Sequence, residues 1–331
     1  MASPSDSSSF QWLSVGNVVS AGFRLYGANP KQYLTIALFG TLWVLLPFIA
    51  TIGVVLFFAT VQNYYAALGL LIPALIVLYL YAVAKYLTNS ALIARLAFGE
   101  LTNQPESLTD ARRYVRSRQW SFLGAAFLLS LIYMSVSIIF YIILAIVIVG
   151  LFVSVIGVQI FQNPTPEALS ANIGLFILTG LLILLLLLVF FTFLLWFAAR
   201  FVSVEVLLAI EPGVTATQTI GRMWSLTKGS AWRIALILFV TFLVTLPIQL
   251  LAQVVTGGAD AVIRAAGVSS GSSTYTTLSI LIAYVMGFAL SILVLPLWQI
   301  IKTVIYFDLR SRREGFGLQL RDRGTQSGPQ L

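Results

Sequence analysis

Glu205 is the residue whose type and position offer most to chemistry. It follows a long apolar run and stands in the otherwise apolar stretch Phe201–Leu208. A carboxylate in such surroundings is costly, so it either serves a binding or transport site or forms an ion pair at the end of the run. We favour the ion pair, with Arg200, Arg222 or Arg233 as the partner.

A glutamine pair, Gln249 and Gln253, is the second feature that could act chemically. The two residues are four positions apart, on one face of a helix, and they follow Pro247; Pro47 occupies a matching place 200 residues earlier. Paired proline-broken helices can surround the substrate site of a transporter. Glutamines inside apolar helices also simply join neighbouring helices by hydrogen bonds. The surrounding runs carry no charge that could couple ions to transport.

Catalysis has few candidate groups, because the chain contains no His and no Cys. These absences remove the commonest general base and the thiolate ligands of metal sites. We find none of the usual nucleophile, zinc-protease or phosphate-loop motifs. A lipid-modifying enzyme would need two or more of Glu205, Glu211 and Asp308 to meet, but we expect Asp308 to pair with the nearby Arg310. The sequence therefore predicts no catalytic, metal-binding or cofactor-binding residue, and no cofactor.

The elements that must hold these residues are long apolar helices. Of the 331 residues, 59% are hydrophobic and only 9% are charged, far from the roughly 25% charged residues of soluble domains. All charged residues lie outside six runs, most of them longer than the roughly 20 residues that cross a bilayer. The fold class is therefore all-α, a polytopic bundle of six transmembrane helices. The runs are Tyr33–Val61, Ala66–Ala84, Phe122–Val158, Ile173–Ala199, Ile234–Thr256 and Tyr275–Ile301.

Two parts of this pattern need separate interpretation. The third run has 37 residues, about 55 Å of helix, so its end beyond Gly150 either projects from the membrane or turns along its surface. Gly257 and Gly258 follow the fifth run and predict a flexible turn. We expect tails at residues 1–12 and 316–331 around a single membrane domain, residues 13–315.

The basic residues are distributed asymmetrically about the six runs. Eighteen of the 19 Lys and Arg residues belong to the side that carries both termini, and Arg264 alone lies opposite. Loops on the cytoplasmic side of a membrane carry an excess of Lys and Arg. Both termini are therefore predicted to be cytoplasmic, in a membrane of the bacterial inner-membrane type. Attraction to anionic lipid headgroups is enough to explain basic residues next to membrane spans. We therefore expect no nucleic-acid partner.

An amphipathic segment precedes each odd-numbered run. The first has apolar residues from Val15 to Tyr26 at helical spacing, the second begins with a capping pattern at Ser107, and the third follows Glu211. Each amphipathic segment forms one unit with the two runs that follow it. The sequence therefore predicts three units, residues 13–105, 106–213 and 214–315. Such helices either lie in the membrane interface or are plain connectors. Their candidate lipid-contacting residues are Arg24, Arg112, Arg113, Arg116, Arg222 and Lys228.

Several short motifs at helix ends resemble those of a bacterial membrane-domain family. They are Arg200–Glu205, Glu211–Gly213, Ile220–Gly229 with Trp232 and Arg233, Tyr306–Arg310 and Arg313–Phe316. The family comprises the membrane domain attached to some glycerophosphodiester phosphodiesterases and its stand-alone relatives. Gly317 and Leu318 depart from the Asp-Leu often found there. The resemblance implies a six-span bundle, but the catalytic barrel with its metal ligands has no counterpart in these residues, so the enzyme activity is not carried over.

These observations favour a non-catalytic membrane protein that acts as a scaffold, assembly factor or lipid-surface organiser. Its expected partners are anionic membrane lipids, together with a membrane protein or a second copy of the chain. The alternative is a permease for a small neutral or lipid-like solute, with a polar cavity near Gln249 and Gln253.

Overall fold

The computed structural model describes residues 14–60, 65–151 and 173–315, and these ranges are helical with short connections and no strand. The helices are α1 Val15–Ala28, α2 Pro30–Thr60, α3 Tyr65–Leu101, α4 Leu108–Ser117, α5 Gln119–Leu151, α6 Ile173–Phe201, α7 Val204–Ile210, α8 Ala216–Leu226, α9 Ala231–Ala265 and α10 Ser273–Glu314. The two predicted tails and the end of the third apolar run beyond Leu151 lie outside the described residues.

Six of these helices, α2, α3, α5, α6, α9 and α10, are long and apolar enough to cross a membrane. The chain is therefore an integral, multi-pass membrane protein, as its six apolar runs predict. Large apolar side chains along all six helices are exposed, which suits contact with lipid because hydrocarbon is as apolar as they are. Examples from successive helices are Ile49, Ile76, Ile146, Leu188, Val254 and Val285.

Three of the six long helices, α3, α9 and α10, extend well past their apolar runs. The 42 residues of α10 would measure about 63 Å, roughly twice the hydrocarbon thickness of a bilayer. Gly257 and Gly258 lie inside α9, which continues to Ala265, so the predicted flexible turn is wrong at this place. Asp260 in this extension accepts a 2.7 Å hydrogen bond from Ser279 of α10, and this contact joins the extension to the neighbouring helix.

The buried core lies at the basic end of the bundle. It contains the parts of α3 and α10 that follow Lys85 and Lys302, together with most of α7. Leu92, Leu207 and Tyr306, one from each of these helices, are almost completely buried. The protein therefore resembles a soluble domain at this end, where extended helices pack around a shared core, and faces lipid along the rest of its length.

Short helices lie directly before three of the spans. Each of these helices begins with a capping side chain that accepts a hydrogen bond from a backbone N–H in the first turn. The caps are Ser14 for α1, Ser107 for α4 and Thr215 for α8. Each helix buries one face: Val18 and Val19 in α1, Ala111 and Val115 in α4, and Thr219 and Met223 in α8. The capping box of α8, formed by Thr215 and Gln218, is a recognisable sequence signal that the predictions above do not include.

Candidate functional site

Glu205 pairs with the last span rather than with the arginines expected from the sequence. The Lys302 ammonium donates a 2.6 Å hydrogen bond to Glu205 Oε1, and the Ser90 hydroxyl donates one of 3.3 Å to Oε2. The predicted partners Arg200, Arg222 and Arg233 were therefore wrong. The physical reason is that α7 is a separate short helix, which presents Glu205 to α3 and α10.

Asp308 also has partners different from the one predicted. Its Oδ2 atom accepts hydrogen bonds from Arg233 at 2.7 Å and from Arg312 at 2.9 Å. Arg310 lies two residues along the helix and donates instead to Glu314 at 3.0 Å. Residues two apart point to different sides of a helix, whereas residues four apart share one face. The pairing of Asp308 with Arg310 was therefore wrong.

A third ionic cluster joins α8 to α10. Arg222 lies 2.7 Å from Glu211 Oε2 and donates a 2.9 Å hydrogen bond to Glu314 Oε1, while the Tyr306 hydroxyl donates one of 2.6 Å to Glu211 Oε1. Desolvation lowers the pKa of the Arg222 guanidinium, but the Glu211 and Glu314 carboxylates outweigh it and raise that pKa above its ordinary value. Arg222 thus takes part in an internal network, unlike the other candidate lipid-contacting residues.

Two further arginines, which are not among the predicted site residues, organise the end of α7. Arg118 donates hydrogen bonds to the carbonyl oxygens of Leu208, Glu211 and Val214. Arg95 forms an ion pair of 2.6 Å with Glu106 and donates to the carbonyl of Ala209. The carbonyls of Leu208 and Ala209 lie in the last turn of α7 and lack a helical partner, so the guanidinium groups satisfy them.

The three acidic residues that could serve a lipid-modifying enzyme are held by different basic groups. Glu205 binds Lys302, Glu211 binds Arg222, and Asp308 binds Arg233 and Arg312. Within the described ranges, no three acidic side chains are grouped as metal ligands would be. The arrangement crosslinks α7, α8, α9 and α10 by ion pairs.

The arginines of α4 have a different environment. Arg112, Arg113 and Arg116 are exposed, because Ala111 and Val115 form the buried face of this helix. No ion pair joins these three arginines to another residue in the described part of the chain. Within the described ranges, no acidic side chain therefore balances their charge.

Beside α4 lies a cavity of about 290 Å³, between that helix and the paired helices α2 and α3. Three of its lining residues are basic, two are aromatic, and none is acidic. The lining consists of Trp43, Tyr81, Lys85, Thr88, Asn89, Leu92, Arg112, Val115 and Arg116.

The remaining candidate basic residues, Arg24 and Lys228, are exposed on other elements. Arg24 lines a depression on α1 together with Asn17 and Ser20. Lys228 follows α8, and its backbone carbonyl accepts a hydrogen bond from Arg313. The structure therefore brings Arg112 and Arg116 together at one cavity and leaves Arg24 and Lys228 apart from it.

A second cavity, of about 350 Å³, is mainly apolar. Phe122, Tyr133 and Trp298 contribute to its lining, and the Glu205–Lys302 pair forms its polar part. Gln249 is half-buried and Gln253 is exposed, both on α9, and neither lines this cavity.

Comparisons with protein-family models, with curated proteins and with solved structures found no match to this chain.

Proposed function

We propose that this protein is a non-catalytic membrane protein whose basic end organises anionic lipids at the membrane surface and serves as a scaffold there. The exposed arginines of α4, Arg112, Arg113 and Arg116, carry the proposal. Five acidic side chains of the basic end are already paired with other basic residues. The α4 charges next to a membrane are best balanced by lipid phosphates, because basic segments beside a span are attracted to anionic lipid.

The proposal includes an orientation and an internal repeat. Both termini and the basic end face the cytoplasm of a bacterial-type inner membrane, in agreement with the positive-inside rule. The helices α1, α4 and α8 lie in the interface, each followed by two membrane-spanning helices, to give three related units. Their positions directly before α2, α5 and α9 support this reading. The same arrangement agrees with the resemblance to the membrane domain of bacterial glycerophosphodiester phosphodiesterases.

The scaffold role is supported by the rigid construction of the basic end. Ion pairs link α8 and α9 to α10, and the Glu205–Lys302 pair links α7 to α10. Arg118 in turn attaches the end of α4 to the end of α7. A partner protein or a second copy of the chain would thus meet a surface whose shape is fixed by crosslinked helices.

The test is the lipid composition that the protein retains. The protein is reconstituted in nanodiscs of phosphatidylglycerol and phosphatidylcholine, extracted gently, and its bound lipids are counted by native mass spectrometry. We expect enrichment of phosphatidylglycerol that is lost in the triple variant R112Q/R113Q/R116Q. The control R264Q changes one charge on the opposite side of the membrane and keeps the enrichment. Equal retention of the two lipids by the wild type would overturn the proposal.

A permease for a lipid-like solute is the second candidate, and the apolar cavity beside Glu205 and Lys302 favours it. The cavity fits a small neutral polar solute less well, because its lining is mainly apolar and neither Gln249 nor Gln253 contributes to it. The test is the transfer of fluorescent phospholipid between leaflets of proteoliposomes. A wild-type rate above that of protein-free vesicles would support transport, and an equal rate would exclude it for that lipid.

A further inference from the structure

The cavity between α2, α3 and α4 has the features of a binding site for a phosphate group. Arg112 and Arg116 are four residues apart, so they project from the same face of α4. Lys85 approaches from α3 and completes a set of three basic groups around about 290 Å³. Like charges repel, so an anion between them would stabilise this grouping.

Lys85 is held in place with part of its bonding capacity unused. Its ammonium donates a 3.0 Å hydrogen bond to Gln119 Oε1 and lies 5.0 Å from the centre of the Tyr81 ring. An ammonium has three N–H donors, so further donors remain for a ligand. The ring of Trp43 packs edge-on against Tyr81, with 5.5 Å between the ring centres, and thus fixes the aromatic wall beside the lysine.

The positive charge of the cavity lining is not balanced by an acidic residue in the part of the chain that the structure describes. No acidic residue is part of the lining. The nearest carboxylate along α4 is that of Asp110, which accepts a 2.6 Å hydrogen bond from Ser107 at the start of the helix. Neither Arg112 nor Arg116 has an ion pair with any residue that the structure describes.

The depth of the cavity matches that of lipid headgroups. Lys85 is the first charged residue after the apolar run Ala66–Ala84, so it lies where the hydrocarbon ends. Trp and Tyr side chains prefer this same depth. Leu46 and Leu80 lie within a helical turn of Trp43 and Tyr81 and are exposed, which provides an apolar surface for acyl chains.

We propose that this cavity is a specific site for the phosphate of an anionic membrane phospholipid. Arg112 and Arg116 bind the phosphate oxygens, Lys85 donates to the same group, and Trp43 and Tyr81 contact the glycerol region. The proposal rests on the lipid-organising function above, and it adds that one defined cavity, rather than the general charge of α4, selects the lipid.

The experiment compares three single variants on one helix. The dissociation constant of phosphatidylglycerol is measured by native mass spectrometry for wild type, R112Q, R116Q and the control R113Q. Arg113 is exposed on α4 but does not line the cavity, so R113Q removes the same charge from the same helix. We expect R112Q and R116Q to weaken binding about tenfold each, the effect of losing one charged hydrogen bond, and R113Q to weaken it less than about twofold.

The possible results separate this proposal from the broader one. An equal loss in all three variants would overturn the cavity and leave general attraction to anionic lipid in place. Undiminished phosphatidylglycerol binding in R112Q and R116Q would overturn the cavity as well. A wild type without preference for phosphatidylglycerol would overturn both proposals.

A competition arm identifies the source of the phosphate. Millimolar inorganic phosphate should leave phosphatidylglycerol bound, because only the lipid also contacts the apolar surface near Leu46 and Leu80. Displacement by inorganic phosphate would contradict a lipid site and assign the cavity to a soluble phosphate compound. The variant R116K, which keeps the charge, should bind more tightly than R116Q; equal weakening would contradict recognition by charge.

Discussion

At the scale of single residues, ion pairs between distant parts of the chain hold the basic end together. The Glu205–Lys302 pair joins positions 97 residues apart, and both side chains are about one-fifth exposed. Removing one member of such a pair leaves the other without its partner, which costs more than removing both. This pair is therefore interpreted as a structural crosslink that also forms the polar part of the apolar cavity.

We expect E205Q and K302M each to lower the free energy of unfolding in detergent by about 1–3 kcal/mol. The double variant E205Q/K302M is expected to lose less than the two single losses together, because neither partner is then left with an unpaired charge. Chemical denaturation followed by tryptophan fluorescence measures all three values. Additive losses would show that the pair contributes no mutual stabilisation.

Arg118 and Arg113 illustrate why neighbouring arginines have different roles. Arg118 donates to three backbone carbonyls near the end of α7, whereas Arg113 is exposed. We expect R118A to destabilise the protein by about 2 kcal/mol or more, and R113A to change its stability by less than about 0.5 kcal/mol. Thermal unfolding of the two variants, measured side by side, tests this difference. Similar melting temperatures would contradict the role given to Arg118.

At the scale of elements, α1 approaches α10 closely through Gly22. A methyl group at this position would lie 2.5 Å from Ile301 Cγ1, whereas the position of Gly16 on the same helix is open. Because alanine stabilises a helix relative to glycine, the two positions separate the effect of helix propensity from that of packing.

We therefore expect G16A to raise the free energy of unfolding by about 0.5–1 kcal/mol. G22A is expected to lower it by about 1–3 kcal/mol, since the added methyl group forces α1 away from α10. Equilibrium unfolding in detergent measures both. Stabilisation by G22A would show that the close contact between the helices is relaxed without cost.

The sequence predicts the elements better than it predicts their contacts. Charge-free runs identify all six long helices, and capping residues such as Ser107 mark the beginning of a short one. The partners of Glu205 and Asp308 were mispredicted because they depend on how α7, α9 and α10 come together, which local spacing does not encode. Nothing in the run of arginines from Arg112 to Arg118 indicates that the last one faces backbone carbonyls.

At the scale of the whole molecule, the bundle has two different ends. The basic end has a buried core and crosslinked helices, whereas the opposite end carries the connection between α9 and α10, with Arg264 nearby. If the basic end faces the cytoplasm, every exposed arginine of α4 meets the leaflet that is rich in anionic lipid.

Single cysteines can test this orientation directly, because the natural chain has none. Ser225 in α8 and Ser270 in the connection between α9 and α10 are both exposed. In bacterial spheroplasts expressing S225C or S270C, a membrane-impermeant maleimide is expected to label S270C, and to label S225C only after the membrane is opened. The reverse pattern would place the basic end outside the cell.

The most direct test of the central claim is the salt dependence of lipid retention by the wild-type protein. Native mass spectrometry counts the phosphatidylglycerol and phosphatidylcholine molecules that stay bound after extraction from mixed nanodiscs at increasing sodium chloride. Attraction of the α4 arginines to lipid phosphates predicts an excess of phosphatidylglycerol at low salt that falls as the charges are screened. Equal retention of both lipids at every salt concentration would contradict the claim that the basic end binds anionic lipid.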